Sequence, residues 1–175
     1  MQILFNFTVS VSAAFGKRRT LLRGLSICIA GLALATAYVL PAEAGKVKPG
    51  YDYYPTGDVA DVQPTRPTAQ TAVLMGGGTD VEAAFRWMIQ KSGGGNFVVI
   101  RATGADGYNP YIYAMGGLTS VETLVIKTRE AAADPFVLDR VSKADALFIA
   151  GGDQADYIRL WKGTPLATAL GTLMS

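Results

Sequence analysis

Four short apolar runs, each closed by turn formers, punctuate the chain after residue 70. Residues 71–75 end in Gly76-Gly77-Gly78. Residues 96–102 carry Phe97-Val98-Val99-Ile100 at their centre, and residues 121–127 carry Val121, Leu124, Val125 and Ile126. Residues 146–150 have no polar side chain and are followed by Gly151-Gly152. Short apolar runs bounded by turn signals predict strands covered on both faces of a parallel sheet.

The segments between these runs have helical spacing. Val81, Ala84, Phe85 and Met88 fall at i, i+3, i+4 and i+7, one stripe of a helix that Thr79 or Asp80 caps and that ends near Lys91. Glycines within 92–95 suit a left-handed C-cap. Residues 103–110 are rich in turn formers, a short helical segment is expected over 111–115, and Gly116-Gly117 break it. Asp134-Pro135 reads as an N-cap with proline in the first turn, starting a helix that aims Phe136, Val137, Val141 and Ala144 at a core. A helix over 153–162 carries Tyr157, Ile158, Leu160 and Trp161. Thr164-Pro165 repeats the cap and proline before a last helix toward Met174.

Strands alternating with helices call for an α/β domain over residues 71–175, with a parallel sheet and helices on both faces. Only four strands are expected. A doubly wound sheet needs at least one more to close its core, so the domain reads as incomplete at its C-terminus. Residues 45–70 form an arm or linker with Pro49, Pro55, Pro64 and Pro67, a density expected to prevent regular elements. Tyr51, Tyr53 and Tyr54 are expected to pack this arm onto the domain.

Residues 17–44 have the three parts of a secretory signal. Lys17, Arg18, Arg19 and Arg23 form a basic region, residues 25–40 an apolar one, and residues 41–44 end in an Ala-x-Ala pattern with cleavage expected after Ala44. The alternative is an uncleaved anchor, for which the apolar run is short. Arg18-Arg19 followed by Leu21-Leu22 suits twin-arginine export as well as the general route. Either way the mature protein is exported. Residues 1–16 fit no part of a signal and read as an over-long start.

The leader also explains the charge. The whole chain has a net charge of +2, but from Gly45 onward there are 12 Lys and Arg against 13 Asp and Glu. The body is therefore not a nucleic-acid-binding composition. Cys28 is the only cysteine and there is no histidine. The body thus has no disulfide, no thiol nucleophile and no thiolate or histidine metal site, and these residues hold no complete Ser-His-Asp arrangement. Neither a metal nor a cofactor is expected.

Candidate chemistry gathers at the strand ends, where open α/β sheets bind ligands. Gly151 and Gly152 leave backbone N–H groups open to a ligand. Asp153 either caps the next helix or faces the site, and Gln154 presents an amide that donates and accepts. Arg101, at the end of the second strand, either binds an acidic substrate group or pairs with Asp106 or Asp80. Asp106 and Asn109 lie in the long loop at the same rim, where turn chemistry alone is enough to explain them. Gly76-Gly77-Gly78 resembles the start of a dinucleotide loop, but position 81 is Val81 where that fingerprint needs glycine, and no acidic residue ends the second strand, so a tight turn beside a site is the expected reading and nucleotide binding the weaker alternative.

Three blocks, in this order, give a more specific match: residues 73–78, residues 97–111, and residues 144–154 with Tyr157. Together they resemble the cyanophycinase-like serine peptidases, the S51 peptidase family, over about residues 72–170. The resemblance implies a flavodoxin-like, three-layer sandwich similar to class I glutamine amidotransferases. It also implies hydrolysis of a peptide bond in a peptide or polymer such as cyanophycin. Gly152 would donate its backbone N–H to the oxyanion, a contribution of roughly 3–4 kcal/mol. Gln154, with Gly151, Asp153 and Arg101 near it, would contact substrate. The family's serine elbow, a Gly-x-Ser-x-Gly turn, does not occur in these residues; the resemblance puts it on the next strand, with the histidine further on. A degenerate homologue that only binds peptides remains the alternative.

Overall fold

The structure is a computed structural model that describes residues 2–6, 50–61 and 64–174. The expected signal at 17–44 and Cys28 lie outside the described residues. Among the described residues, no helix is long and apolar enough to cross a membrane.

The described residues form an α/β domain. Its strands are β1 (Gln2–Asn6), β2 (Tyr51–Gly57), β3 (Thr71–Met75), β4 (Asn96–Arg101), β5 (Ser120–Ile126) and β6 (Ala146–Ile149). Its helices are α1 (Glu82–Lys91), α2 (Tyr108–Tyr113), α3 (Pro135–Ser142), α4 (Gln154–Trp161) and α5 (Pro165–Leu173), with a 3₁₀ turn at Ala131–Ala133. The six strands form one sheet in the order β2-β5-β4-β6-β1-β3. β4 is parallel to β5 and to β6, while β2 and β1 are antiparallel to their neighbours. The four strands expected from the apolar runs therefore all point the same way. β3 is separated from the other three by β1, which pairs Gln2–Asn6 with β3 and Ile3–Asn6 with β6.

Both faces of the central strands are covered, as their unbroken hydrophobicity requires. Val98, Ile100, Leu124 and Leu147 pack with Val137 and Val141 of α3, Leu160 and Trp161 of α4, and Leu166, Leu170 and Leu173 of α5. Phe97, Val99, Val121 and Phe148 pack on the other face with Phe85, Met88 and Ile89 of α1 and Ile112 of α2. Each large side chain so buried stabilises the fold by roughly 1.5–3 kcal/mol.

The arm departs from expectation. Proline does not prevent a strand there, because β2 lies at the sheet edge, where a residue without an N–H is tolerated. Pro55 sits opposite Glu122 in that pairing. Tyr51 and Tyr53 do pack the arm down, against the α3 side of the core, and both rings meet Phe136. Phe136, expected in the core, is exposed, and so is Ile158 of α4. Val81 is exposed too and serves as the N-cap of α1 with no side-chain bond, so neither Thr79 nor Asp80 caps that helix. Thr164 is the N-cap residue of α5 with proline at the helix start, as expected, but its side chain makes no capping bond; its hydroxyl donates to Trp161 O. Asp134 caps α3 as expected, accepting from Phe136 N at 2.8 Å. The short helix begins at Tyr108, three residues before its expected start, and takes in Asn109 and Pro110.

Polar residues inside this core are paired. Glu122 on β5 is fully buried. It accepts from Arg140 Nε at 2.7 Å and from an Arg140 terminal nitrogen, from Tyr53 Oη at 2.7 Å and from Ser120 Oγ at 3.1 Å. One carboxylate thus joins β5, α3 and the edge strand β2. At the N-terminal end of the sheet, Asp145 accepts from Asn96 N at 2.8 Å. A Cβ at Gly95 would lie 2.0 Å from Asp145 Oδ2, so the close approach of carboxylate to backbone needs glycine there.

Two stability predictions follow from these buried carboxylates. Removing one partner of a buried ion pair leaves the other charge uncompensated. Glu122→Ala is therefore expected to cost about 3–5 kcal/mol, measured by urea unfolding. Burial first, with the nearby Asp61 adding to it, raises the Asp145 carboxyl from its usual value to about 6, against the Asn96 N–H bond. The folded state then holds this proton more tightly than the unfolded chain. Its stabilising contribution is complete below the ordinary carboxyl range and is lost as pH rises through about 6. Thermal midpoints are expected to fall between pH 4.5 and pH 7 in the parent more than in Asp145→Asn. Equal slopes would show that Asp145 is not the group responsible.

Candidate functional site

The C-terminal ends of β4 and β6 lie side by side in the sheet, with Ile100 opposite Ile149 and Ala150 N donating to Ile100 O at 3.0 Å. From this pair the chain leaves in two directions. β4 is followed by α2, which packs on the face of α1. β6 is followed by α4, which packs on the opposite face with α3 and α5. Adjacent parallel strands whose helices diverge leave a crevice at their carboxyl ends, the usual ligand position of open α/β sheets.

Gly151, Gly152, Asp153 and Gln154 form one wall of this crevice. Gly151 is half-buried, and the next three residues are exposed. Asp153 is the N-cap of α4 and accepts from Ala155 N at 2.9 Å. Its carboxylate therefore has a structural role that needs no ligand. Gln154 is the first residue of the helix, with its side chain at the open rim.

Arg101 ends β4 at the same rim but turns to the other face. Its Nε donates to Thr103 O and a terminal nitrogen donates to Ala105 O at 3.1 Å, while its guanidinium carbon lies 5.8 Å from the Tyr108 ring centre. Two donors thus close the loop that follows β4; the bonds go to backbone carbonyls, not to Asp106 or Asp80. Asp80 instead accepts from Tyr108 Oη at 3.3 Å. These groups line a cavity of about 450 Å³ formed by Thr79, Asp80, Arg101, Gly107, Tyr108 and Tyr111. That volume suits a small ligand or one side chain with its backbone. Arg101 and Gln154 thus belong to one rim, with the guanidinium on the α1–α2 side and the amide at the head of α4.

Gly76-Gly77-Gly78 lead from β3 toward this cavity. A Cβ at Gly76 or Gly77 would meet nothing within 4 Å, and Gly78 takes a positive φ of 118°. Glu82 stands in the first turn of α1. A carboxylate at a helix N-terminus occupies the position where a phosphate would be favoured. Among the described residues there is no cluster of His, Cys, Asp or Glu able to hold a metal ion.

Two residues of this region have roles that their residue types alone did not show. Asn109 is buried and does not serve a loop turn. Its Nδ2 donates to Tyr54 O at 2.7 Å and its Oδ1 accepts from Thr123 Oγ1 at 2.6 Å, so it fastens α2 to β2 and β5. Tyr157 reaches back from α4, donating from Oη to Ala150 O at 2.8 Å, with Gly151 O at 3.4 Å. Burial, more than any charge, raises its phenol pKa, so it stays protonated and able to donate at neutral pH. The signal for Tyr157 is its position three residues past Gln154, which places it over the same helix end.

Asp153→Ala is expected to cost about 1 kcal/mol, as for other N-caps, and Asp153→Asn much less. Urea unfolding of the two variants measures this; equal losses would mean that the charge and not the cap matters. Comparison with protein-family models, with curated proteins and with solved structures finds no match for the chain.

Proposed function

We propose that residues 71–175 are the oxyanion and substrate-binding part of an exported serine-type peptidase resembling the cyanophycinase-like family, in a flavodoxin-like sandwich. The observation that carries this reading is the position of Gly151-Gly152-Asp153-Gln154. The turn closes a buried parallel strand at the point where the helices of neighbouring strands diverge. In this reading Gly152 donates its N–H to the oxyanion, Gln154 contacts the substrate amide, and Asp153 holds the helix that carries both. Arg101 and the two tyrosines of the neighbouring cavity bound the space open to a substrate side chain.

Acyl transfer also needs a nucleophile and a base, and these 175 residues contain no Gly-x-Ser-x-Gly turn and no histidine. The reading assigns both to sequence that follows Ser175. The same absence favours a second reading, a homologue that holds peptides without cleaving them.

Determining the coding DNA beyond codon 175 separates the two. A Gly-x-Ser-x-Gly elbow after a further apolar strand, with a histidine downstream, is the expected result. An in-frame stop with no such remnant beyond it would overturn the peptidase and leave the binding protein.

A further inference from the structure

The phenol of Tyr157 folds back onto the end of β6. Its hydroxyl donates to Ala150 O at 2.8 Å, with Gly151 O at 3.4 Å. The carbonyls of two successive peptide units, 150–151 and 151–152, therefore converge on one hydroxyl. Both units are trans. In a trans unit the N–H points opposite to the C=O. The N–H groups of Gly151 and Gly152 consequently point away from Tyr157. Successive N–H groups turned to one side make a concavity that accepts anions.

The ring cannot easily yield. It meets Trp161 edge-on at 4.5 Å between centroids, and Trp161 is itself buried and donates from Nε1 to Ile126 O. This rigidity bears on residue 152. Gly152 is not among the glycines with positive φ, so its backbone conformation does not call for glycine. A Cβ there would instead lie 3.0 Å from Tyr157 Oη and 3.1 Å from Cε2. A side chain at 152 fits only if the phenol gives by a few tenths of an ångström, so its close approach favours glycine.

We propose that Tyr157 is the positioning residue of this site: it turns the N–H groups of Gly151 and Gly152 outward as a pair of donors, and its ring crowds any side chain at 152. The proposal rests on the peptidase reading only for the use made of those donors; their orientation belongs to the fold.

Residual dipolar couplings of the ¹⁵N-labelled full chain read the two N–H vectors directly. In Tyr157→Phe the vectors of Gly151 and Gly152 are expected to reorient while those of β4 and α4 stay in place. A merely structural role would lower the melting temperature without this local change. Unmoved vectors at 151 and 152 overturn the proposal. If Tyr157→Phe does not fold, the same vectors in Gly152→Ala, where the added methyl meets the ring, carry the same test with the same overturning result. Melting temperatures supply the second measurement. Gly152→Ala is expected to lower the midpoint when Tyr157 is present and to add no further loss in a Tyr157→Ala background. Additive losses overturn the claim about glycine. No ligand enters either measurement. Failure of the peptidase reading therefore leaves both outcomes unaltered, and unmoved vectors leave the peptidase reading standing.

Discussion

A carboxylate without access to water holds the sheet to what surrounds it. Glu122 stands on β5 between Val121 and Thr123, opposite Val98 and Pro55 of the adjacent strands, and burying its charge alone would cost several kcal/mol. Arg140 reaches it from α3, Tyr53 from the edge strand and Ser120 from its own strand. The compensation works only if all three elements are in place together. Arg140 also donates to Val59 O, so the same group anchors the chain just beyond β2. The arm before residue 70 is thereby part of the domain. It supplies an edge strand whose tyrosines complete the α3 side of the core and whose proline suits an edge.

With β5, β4 and β6 set in parallel, the position of the crevice follows. The connection after β4 runs on one face and that after β6 on the other, so their carboxyl ends diverge around an open rim. The residues there divide their labour. Asp153 satisfies a helix amide, Arg101 closes its own loop, and Tyr157 folds back onto the carbonyl at the end of β6. What remains open is backbone at Gly151 and Gly152, the Gln154 amide, and the cavity between Arg101 and the tyrosines of α2.

The elements most legible in the sequence are those whose local cue and tertiary role agree. The apolar runs of β4, β5 and β6 have both faces covered, and Asp134-Pro135 starts α3 as its cap predicts. Misreadings occur where a local cue has two outcomes. Proline at 55 disfavours a central strand but suits an edge, and only the sheet order shows which applies. Thr79, Asp80 and Thr164 have capping side chains, yet neither α1 nor α5 receives a capping bond from one of them. Asp80 and Thr164 are bonded elsewhere, to Tyr108 and to Trp161 O. Asn109 reads as a turn former by type, while its neighbours in space, Tyr54 and Thr123, come from distant parts of the chain.

By itself the sequence determined that this is an α/β chain, that its body lacks thiol and imidazole chemistry, and that Gly151 to Gln154 close a buried strand. Those properties follow from residue type and periodicity, which act over a few neighbours. The tertiary structure alone decided that β1 separates β3 from β6, that Glu122 is a buried junction and that Arg101 turns to the α2 side. It alone decided that Tyr157 faces the glycine turn. Each of these depends on which groups meet across the sheet, where burial makes an unmet charge or carbonyl costly, and no local pattern encodes that meeting.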